Sequence, residues 1–517
     1  MKHVEKIAII KNIGSSWLGL VVNMATGLVV SPYILHKLGD EAFGLWALVF
    51  SISGYYGLFS MGIRSSVVRY VARFKALEDR DQLLRVINTS LFAYTCIGAV
   101  ALLVTLILAW FLPRMIHLQA SSVTTAKILF LMVGASVAIG FPLSVFAGIL
   151  EGLQKFYLLN VVNIANTIVR AAMIIIALNH GYGLLAVAFI TVALPFVSRL
   201  VNAANVFWLI RATVSVRFIS MDTLKLLVNY GAVTFMITVA ENLRFRTDEL
   251  VIGGFLTAAA ITPFAIGSRI VDYATSVVDG LAQVFTPMSS HFDARGEVEK
   301  LRSIFIAGNR GCALVMFPMC AGLIILGKSI IRLWMGARYI PLSYPVLLLL
   351  LIPCTMRMSQ ATTGRILFGM ARHKTLAWVV LAEGVANLIL SILLVRPYGI
   401  VGDALGTAIP LTCTCLLFLP QHMCRILEMR VPAFLKQAYT TPLLLCLPMV
   451  CFLLPMEHWF APRTLAHLAL HILLASTVYA GFVYYFMFLR GPLSLRRPRT
   501  QPPEQAVEVA LAEEAGE

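Results

Sequence analysis

Long apolar blocks, separated by short polar or basic connections, fill this chain from its first turns to about residue 490. A helix that crosses a bilayer needs about 20 mostly apolar residues. Runs of that length fall at 13–35, 43–63, 86–112, 126–149, 157–178, 184–210, 226–248, 262–288, 303–327, 343–368, 375–395, 399–424, 437–455 and 465–489. They are too long and too evenly apolar for barrel strands, so helices are the predicted spanning form. The pattern therefore predicts an all-α polytopic membrane protein of about 14 transmembrane helices. Pro142, Pro195, Pro318, Pro353 and Pro410 lie inside runs and predict kinks. From Gly491 onward the chain turns polar and Pro-rich, then acidic, which predicts a disordered tail over 491–517.

Composition sharpens this reading. The 517 residues are 59% hydrophobic and 13% charged, whereas soluble domains run near one half and one quarter. Disorder of most of the chain, a small disulfide scaffold and a cytosolic enzyme with one membrane anchor are excluded. The nine cysteines lie in or beside apolar runs without CxxC or Cys/His ligand spacing, so neither zinc nor a disulfide framework is predicted. The first apolar run continues without a small-residue cleavage site, so no cleavable signal peptide is expected.

The net charge of +16 would suggest nucleic acid in a soluble protein. Here its distribution matters more. With the start of the chain in the cytoplasm, 24 Lys and Arg fall on that side, eight on the other and nine inside spans. That threefold bias predicts cytoplasmic termini and leaves no excess to explain by nucleic acid. Arg338 is among the eight and is expected in an exposed outer connection.

The sequence also repeats. Asn12-Ile13-Gly14 matches Asn229-Tyr230-Gly231, and Ile149-Leu150-Glu151-Gly152 matches Ile366-Leu367-Phe368-Gly369, each 217 positions on. Tyr182-Gly183-Leu184 matches Tyr398-Gly399-Ile400 at 216. The spacing predicts an N-terminal six-helix lobe over 1–213, a parallel copy over 214–427, and two further helices over 428–490. Two such lobes are expected to enclose a central cavity near mid-membrane.

Charges inside apolar spans point into that cavity or to partners, because a lone charge in lipid costs about 3 kcal/mol or more. In the eighth run, Arg269, Asp272, Ser276, Asp279 and Gln283 fall within about 80° of one helix face. They either line water or lock against another polar helix, and Arg269 with Asp272 is a self-neutralising alternative. In the seventh, Thr234, Thr238, Glu241, Arg244 and Asp248 share a stripe within about 60°. Arg64, Arg170 and Arg357 are further intramembrane arginines, whereas Arg246 and Arg365 lie near run ends and are expected to snorkel. Tyr55, Tyr56, Asn163, Trp208, Gln283, Gln360 and Asn387 are candidates for sugar contacts, with Trp and Tyr near run ends more often acting as interface anchors. His467 and His471 lack the Glu of a metalloprotease helix, and no GxxxxGK[ST] loop occurs.

Several segments resemble the Wzx-type oligosaccharide flippases of the multidrug/oligosaccharidyl-lipid/polysaccharide exporter superfamily. They are Leu38-Gly39-Asp40-Glu41-Ala42-Phe43-Gly44-Leu45-Trp46, Ser60-Met61-Gly62-Ile63-Arg64, Gly148 to Phe156 and Asn387 to Ala408. Ser60 departs from the Asp that relatives often carry, so no role transfers to it. The resemblance implies alternating-access flipping of an undecaprenyl-diphosphate-linked oligosaccharide across the bacterial inner membrane for O-antigen or exopolysaccharide synthesis. It implies no enzyme chemistry, no metal and no cofactor beyond H⁺ or Na⁺ coupling. Membrane lipids, a polysaccharide polymerase and glycosyltransferases are the implied partners. Within it, Arg269, Arg244 and Arg64 are the expected diphosphate ligands, since guanidinium groups bind phosphates bidentately while staying charged. Glu241, Asp248, Asp272 and Asp403 are the expected coupling acids, and Arg170, Arg357, Asp279 and Gln283 the secondary cavity residues. A multidrug cation antiporter is the nearest rival, but residues 12–36 contain no carboxylate to hold a cationic drug. A membrane glycan polymerase or glycosyltransferase is the second, and the outer connections are short for one.

Overall fold

The computed structural model describes residues 2–55, 62–115, 123–211, 213–245, 247–370, 372 and 374–486. Within those helices the side chains at 2–10, 12, 13, 50, 52–55, 112–115, 230, 232–234, 237, 240, 244, 245 and 287 lie outside the description. The first half comprises α1 (Lys2–Leu38), α2 (Asp40–Tyr55), α3 (Ile63–Ala76), α4 (Arg80–Met115), α5 (Val123–Gly152), α6 (Phe156–Asn179) and α7 (Leu184–Ile210). The second comprises α8 (Met221–Phe245), α9 (Asp248–Phe255), α10 (Ala258–Ala282), α11 (Phe285–Ala294), α12 (Val298–Trp334), α13 (Ile340–Ser359), α14 (Ala361–Gly369), α15 (Lys374–Cys413) and α16 (Leu419–Ile426). Two more, α17 (Val431–Trp459) and α18 (Leu465–Tyr484), follow, and no strand occurs among the described residues.

Among the described residues, ten helical segments are long and apolar enough to cross a membrane. The chain is a multi-pass membrane protein. Apolar side chains that would be buried in a soluble protein face outward here, among them Leu103, Leu106 and Trp110 of α4. Such a surface is stable only against lipid.

Three of the predicted runs are absent from those ten, and two others are joined in one. Of the run at 43–63, α2 to Tyr55 and α3 from Ile63 are described, residues 56–61 lying outside the description. The run at 226–248 covers α8 to Phe245, with residue 246 outside the description, and that at 262–288 is shared by α10 and α11. The runs at 375–395 and 399–424 lie in one continuous helical stretch of 53 residues. That stretch is a hairpin. Gly399 has φ 60° and ψ −142°, a conformation costly for any residue with a Cβ. Beyond it the chain runs back, so that Asn387 Nδ2 donates to Thr407 Oγ1 at 3.1 Å.

Element ends recur at a fixed offset. α1 ends at Leu38 and α9 at Phe255, while α5 covers Val123–Gly152 and the α13–α14 pair Ile340–Gly369, each 217 positions on. The first half packs α4 and α7 against α5, and the second packs α10, α12 and α15 against α13. The halves meet along α2 with α10 and α3 with α8, and α17 covers α12 from outside. Hereafter the near face is that on which α1 begins, and the far face that on which it ends.

Candidate functional site

Helix α10 starts at a defined cap: Thr257 Oγ1 accepts from the Ala260 amide at 3.2 Å. An N-cap of this kind stabilises a helix by about 1 kcal/mol. From there the apolar positions Ile266, Ile270, Val271, Ala274 and Val278 turn into the protein core, and the polar stripe is left on another face. Its last turns line a cavity of about 730 Å³ in the near-face part of the molecule.

Thr275, Ser276, Asp279, Gly280 and Gln283 form one wall of that cavity. Ser16, Trp17 and Leu20 of α1 form another, with Glu241 of α8, Arg357 of α13 and Arg365 of α14 completing it. Arg365 Nη2 lies 2.8 Å from Asp279 Oδ1, with both side chains partly exposed to the cavity. A second cavity of about 350 Å³ shares Glu241, Asp279, Arg357 and Arg365 and continues to Gln360 and Glu383. Two arginines and several hydroxyl, amide and carboxylate groups thus face one polar space.

The predicted residues distribute unevenly. Arg357, Asp279, Gln283 and Glu241 line the cavity. Arg365, expected to snorkel, lines it as well, because the helix breaks at Gln360 and α14 carries Arg365 inward. Arg269 is half-buried on α10 beside Tyr273, nearer the far face, and Asp272 is exposed; neither is among the lining residues. Arg64 is held by Glu151 of α5, with Nε 3.4 Å from Oε2 and Nη2 closer still to Oε1. Arg170 is half-buried on α6, away from the lining. The side chains of Thr234 and Arg244, and residue Arg246, lie outside the described residues, as do the side chain of Tyr55 and residue Tyr56. Trp208 is 80% exposed on the outer surface of α7, and Asn163 is exposed on α6.

The stripe expected to join Glu241 to Asp248 does not stay on one helix. α8 is described to Phe245, and after Thr247, which is not helical, α9 starts at Asp248. Glu241 faces the cavity while Asp248 is buried against α15, where Thr407 Oγ1 donates to its Oδ1 at 3.1 Å. Asp403 lies in the same interior and is wholly buried, and among the described residues neither carboxylate oxygen accepts a well-formed hydrogen bond. Ser391 Oγ donates to the Asp403 main-chain carbonyl at 3.3 Å and to Asn387 Oδ1 at 3.1 Å.

At the far face the two halves are fastened together. Thr262 Oγ1 donates to the Asp40 carbonyl at 2.7 Å, and Arg338 Nη2 lies 2.8 Å from Asp40 Oδ1. Trp334 Nε1 donates to the Leu28 carbonyl at 2.7 Å. Gly44 of α2 lies so close to α10 that a Cβ on it would meet the Ala258 carbonyl oxygen at 1.9 Å. Sequence reasoning missed this set and Trp17 alike, since neither carries a local signal.

A family profile described as polysaccharide biosynthesis protein matches residues 38–344. A Shigella flexneri protein assigned as an O-antigen transporter is 21% identical over 436 residues, spanning 82% of this chain and all of that one. A Haloferax volcanii protein assigned as a low-salt glycan biosynthesis flippase is 23% identical over 190 residues, 37% of this chain and 40% of that one. Among solved structures, the lipid II flippase MurJ in an inward closed conformation superposes with TM-score 0.70 at 17% identity, covering 92% of this chain and 99% of that one. An inward-facing multidrug transporter of the MATE family superposes with TM-score 0.69 at 16% identity, covering 81% and 96%. These two establish the fold as that of the multidrug/oligosaccharidyl-lipid/polysaccharide exporters.

Proposed function

This chain belongs to the polysaccharide biosynthesis protein family, and from that membership we propose that it moves a lipid-linked oligosaccharide across a bacterial cytoplasmic membrane by alternating access, as a transporter without covalent catalysis. One observation carries the reading: a polar cavity of about 730 Å³, holding two arginines, sits between the two halves while their far ends are fastened shut. Its volume suits a head group with sugars rather than an ion. The names carried by the Shigella and Haloferax relatives point the same way.

In this reading Arg357 and Arg365 hold the diphosphate, because among the described residues they are the arginines on the cavity wall. The near face is the cytoplasmic one, which agrees with the 24-to-8 distribution of basic residues. The repeated halves are two six-helix lobes that rock against each other, and the chain passes the membrane fourteen times. Undecaprenyl diphosphate is the carrier, and a polymerase and glycosyltransferases act before and after it. Asp248 and Asp403 couple movement to H⁺ or Na⁺, since both are carboxylates buried side by side in the α9–α15 interior, and among the described residues the Asp403 oxygens accept no well-formed hydrogen bond.

The test is reconstitution. Proteoliposomes carrying undecaprenyl-diphosphate-linked oligosaccharide are probed with a membrane-impermeant glycosidase. The protein should raise the cleaved fraction from the outer leaflet alone toward the whole pool. A cleaved fraction equal to that of protein-free vesicles overturns the proposal.

A further inference from the structure

The cavity lining mixes cationic groups with an aromatic ring and a carboxylate. Arg357 and Arg365 stand on α13 and α14, Trp17 on α1 and Glu241 on α8. Trp17 lines the cavity with 36% of its surface exposed, and the edge of its indole reaches across to α10 over Gly280. A Cβ built on Gly280 would lie 3.6 Å from Trp17 Cη2, so the ring edge faces the bare glycine of α10 and presents surface to the cavity.

Glu241 differs from the other cavity carboxylate. Asp279 is neutralised by Arg365 at 2.8 Å, while among the described residues no cation pairs with Glu241. An ionised carboxylate only accepts hydrogen bonds. It therefore favours hydroxyl or amide N–H donors and repels a second carboxylate brought into the same space. A pyranose ring offers an apolar C–H face to a flat π surface and hydroxyl donors at its rim. Ser276 and Gln283 of α10 add further hydrogen-bonding groups to the same cavity.

We propose that Trp17 and Glu241, which line the same cavity, read the sugar next to the diphosphate, accepting a neutral or N-acylated pyranose and refusing an acidic one. The inference rests on the reading of this cavity as a lipid-diphosphate sugar site and adds the class of sugar. Arg357 and Arg365 take the anionic linkage, while Trp17 and Glu241 take an uncharged ring.

Binding to the full-length protein in nanodiscs distinguishes the two levels. Three probes share a citronellyl diphosphate: one without sugar, one carrying N-acetylglucosamine and one carrying glucuronic acid. The unaltered protein should bind the N-acetylglucosamine probe about tenfold more tightly than either of the others, a difference typical of one aromatic contact or one charge repulsion. Trp17→Ala should erase the gain over the sugar-free probe, and Trp17→Phe should keep most of it. Glu241→Gln should bring the glucuronate probe close to the N-acetylglucosamine probe. Equal weakening of all three probes by Trp17→Ala would make Trp17 a brace between the halves and overturn the proposal. Preference of the unaltered protein for glucuronate would overturn it too. If the sugar-free probe does not bind, or binds equally well to Arg357→Ala and Arg365→Ala, the parent reading falls and takes this one with it.

Discussion

Arg338 and Asp40, 298 positions apart, meet across the boundary between the two halves, with Nη2 2.8 Å from Oδ1. Tyr339 donates its hydroxyl to the same carboxylate oxygen. Arg338 thus bridges the halves instead of standing free in an outer connection. The Arg338 and Asp40 side chains are 64% and 36% exposed, so the pair contributes at most about 1 kcal/mol to stability. Its effect should instead fall on the balance between far-face-closed and far-face-open states. Arg338→Asp, which sets two carboxylates together, should leave the melting temperature nearly unchanged. It should also raise thiol labelling at Ala258→Cys in an otherwise cysteine-free chain. Restoring opposite charge with Asp40→Arg should bring labelling back down. Labelling that ignores both changes would show that the pair does not govern closure.

The near-face junction makes a steric prediction. Gly62 starts α3 at φ 69°, and a Cβ there would lie 2.1 Å from the Gly231 carbonyl oxygen. The left-handed conformation alone costs about 1–2 kcal/mol for a residue with a side chain, and the clash adds to it. Gly62→Ala should lower stability in detergent by about 2 kcal/mol or more. Gly14 has nothing within 4 Å of the same position, so Gly14→Ala should be neutral or slightly stabilising. Equal melting temperatures for the two variants would contradict this account.

Orientation can be checked without purification. A reporter active only outside the cytoplasm should stay silent when fused after Arg80, Arg217 or Arg302 and become active after Asp40 or His180. The first three follow the near-face ends of helices and the others the far-face ends. The expected sidedness comes from the 24-to-8 basic asymmetry. Activity after both Arg80 and Arg302 would invert the protein in the membrane.

The helical membrane-spanning character could be read from the sequence because it depends on local properties, run length and composition. The cavity could be read only in part. The α10 stripe was visible because 3.6-residue periodicity places Ser276, Asp279 and Gln283 on one face without knowledge of any partner. Periodicity fails at breaks. Glu241 and Asp248 shared a stripe on a continuous helix, but the interruption before Asp248 sends one to the cavity and the other into the α15 interior. Arg365 looked like a residue at a span end, and the break at Gln360 turned it inward. Trp17 and the Asp40–Arg338 pair depend on how distant helices face each other, which no local pattern encodes.

The buried acids make a coupling prediction. Among the described residues, Asp403 has neither exposure nor a well-formed hydrogen bond to its carboxylate oxygens, and Asp248 accepts from the Thr407 hydroxyl. If one exchanges a proton or Na⁺ during the cycle, Asp403→Asn should still bind the sugar-free diphosphate probe. It should also lose the stimulation of flipping by an imposed pH or Na⁺ gradient. An amide is isosteric and uncharged, so folding should survive the change. Gradient dependence that is intact in both Asp403→Asn and Asp248→Asn would remove this pair from the mechanism.

The arginines permit the sharpest separation. Arg357 and Arg365 line the cavity, whereas Arg269 stands outside its lining and Arg64 is held by Glu151. A diphosphate that uses the first two should lose about 2 kcal/mol of binding with either alanine variant, which is roughly thirtyfold in Kd. Lysine should recover only part of that loss, because a single ammonium cannot reproduce the bidentate guanidinium contact. Arg365 also pairs with Asp279, so its alanine variant leaves a cavity carboxylate without its cation. The double variant Arg365→Ala/Asp279→Ala separates the two effects. Were Arg365 only Asp279's counter-ion, removing both would restore probe binding and flipping; as a phosphate ligand, its loss persists in the double variant. Arg269→Ala and Arg64→Ala are the comparison, and both should bind the probe within about threefold of the unaltered protein. Normal binding by Arg357→Ala together with failure of Arg269→Ala would move the diphosphate out of this cavity and toward the far face.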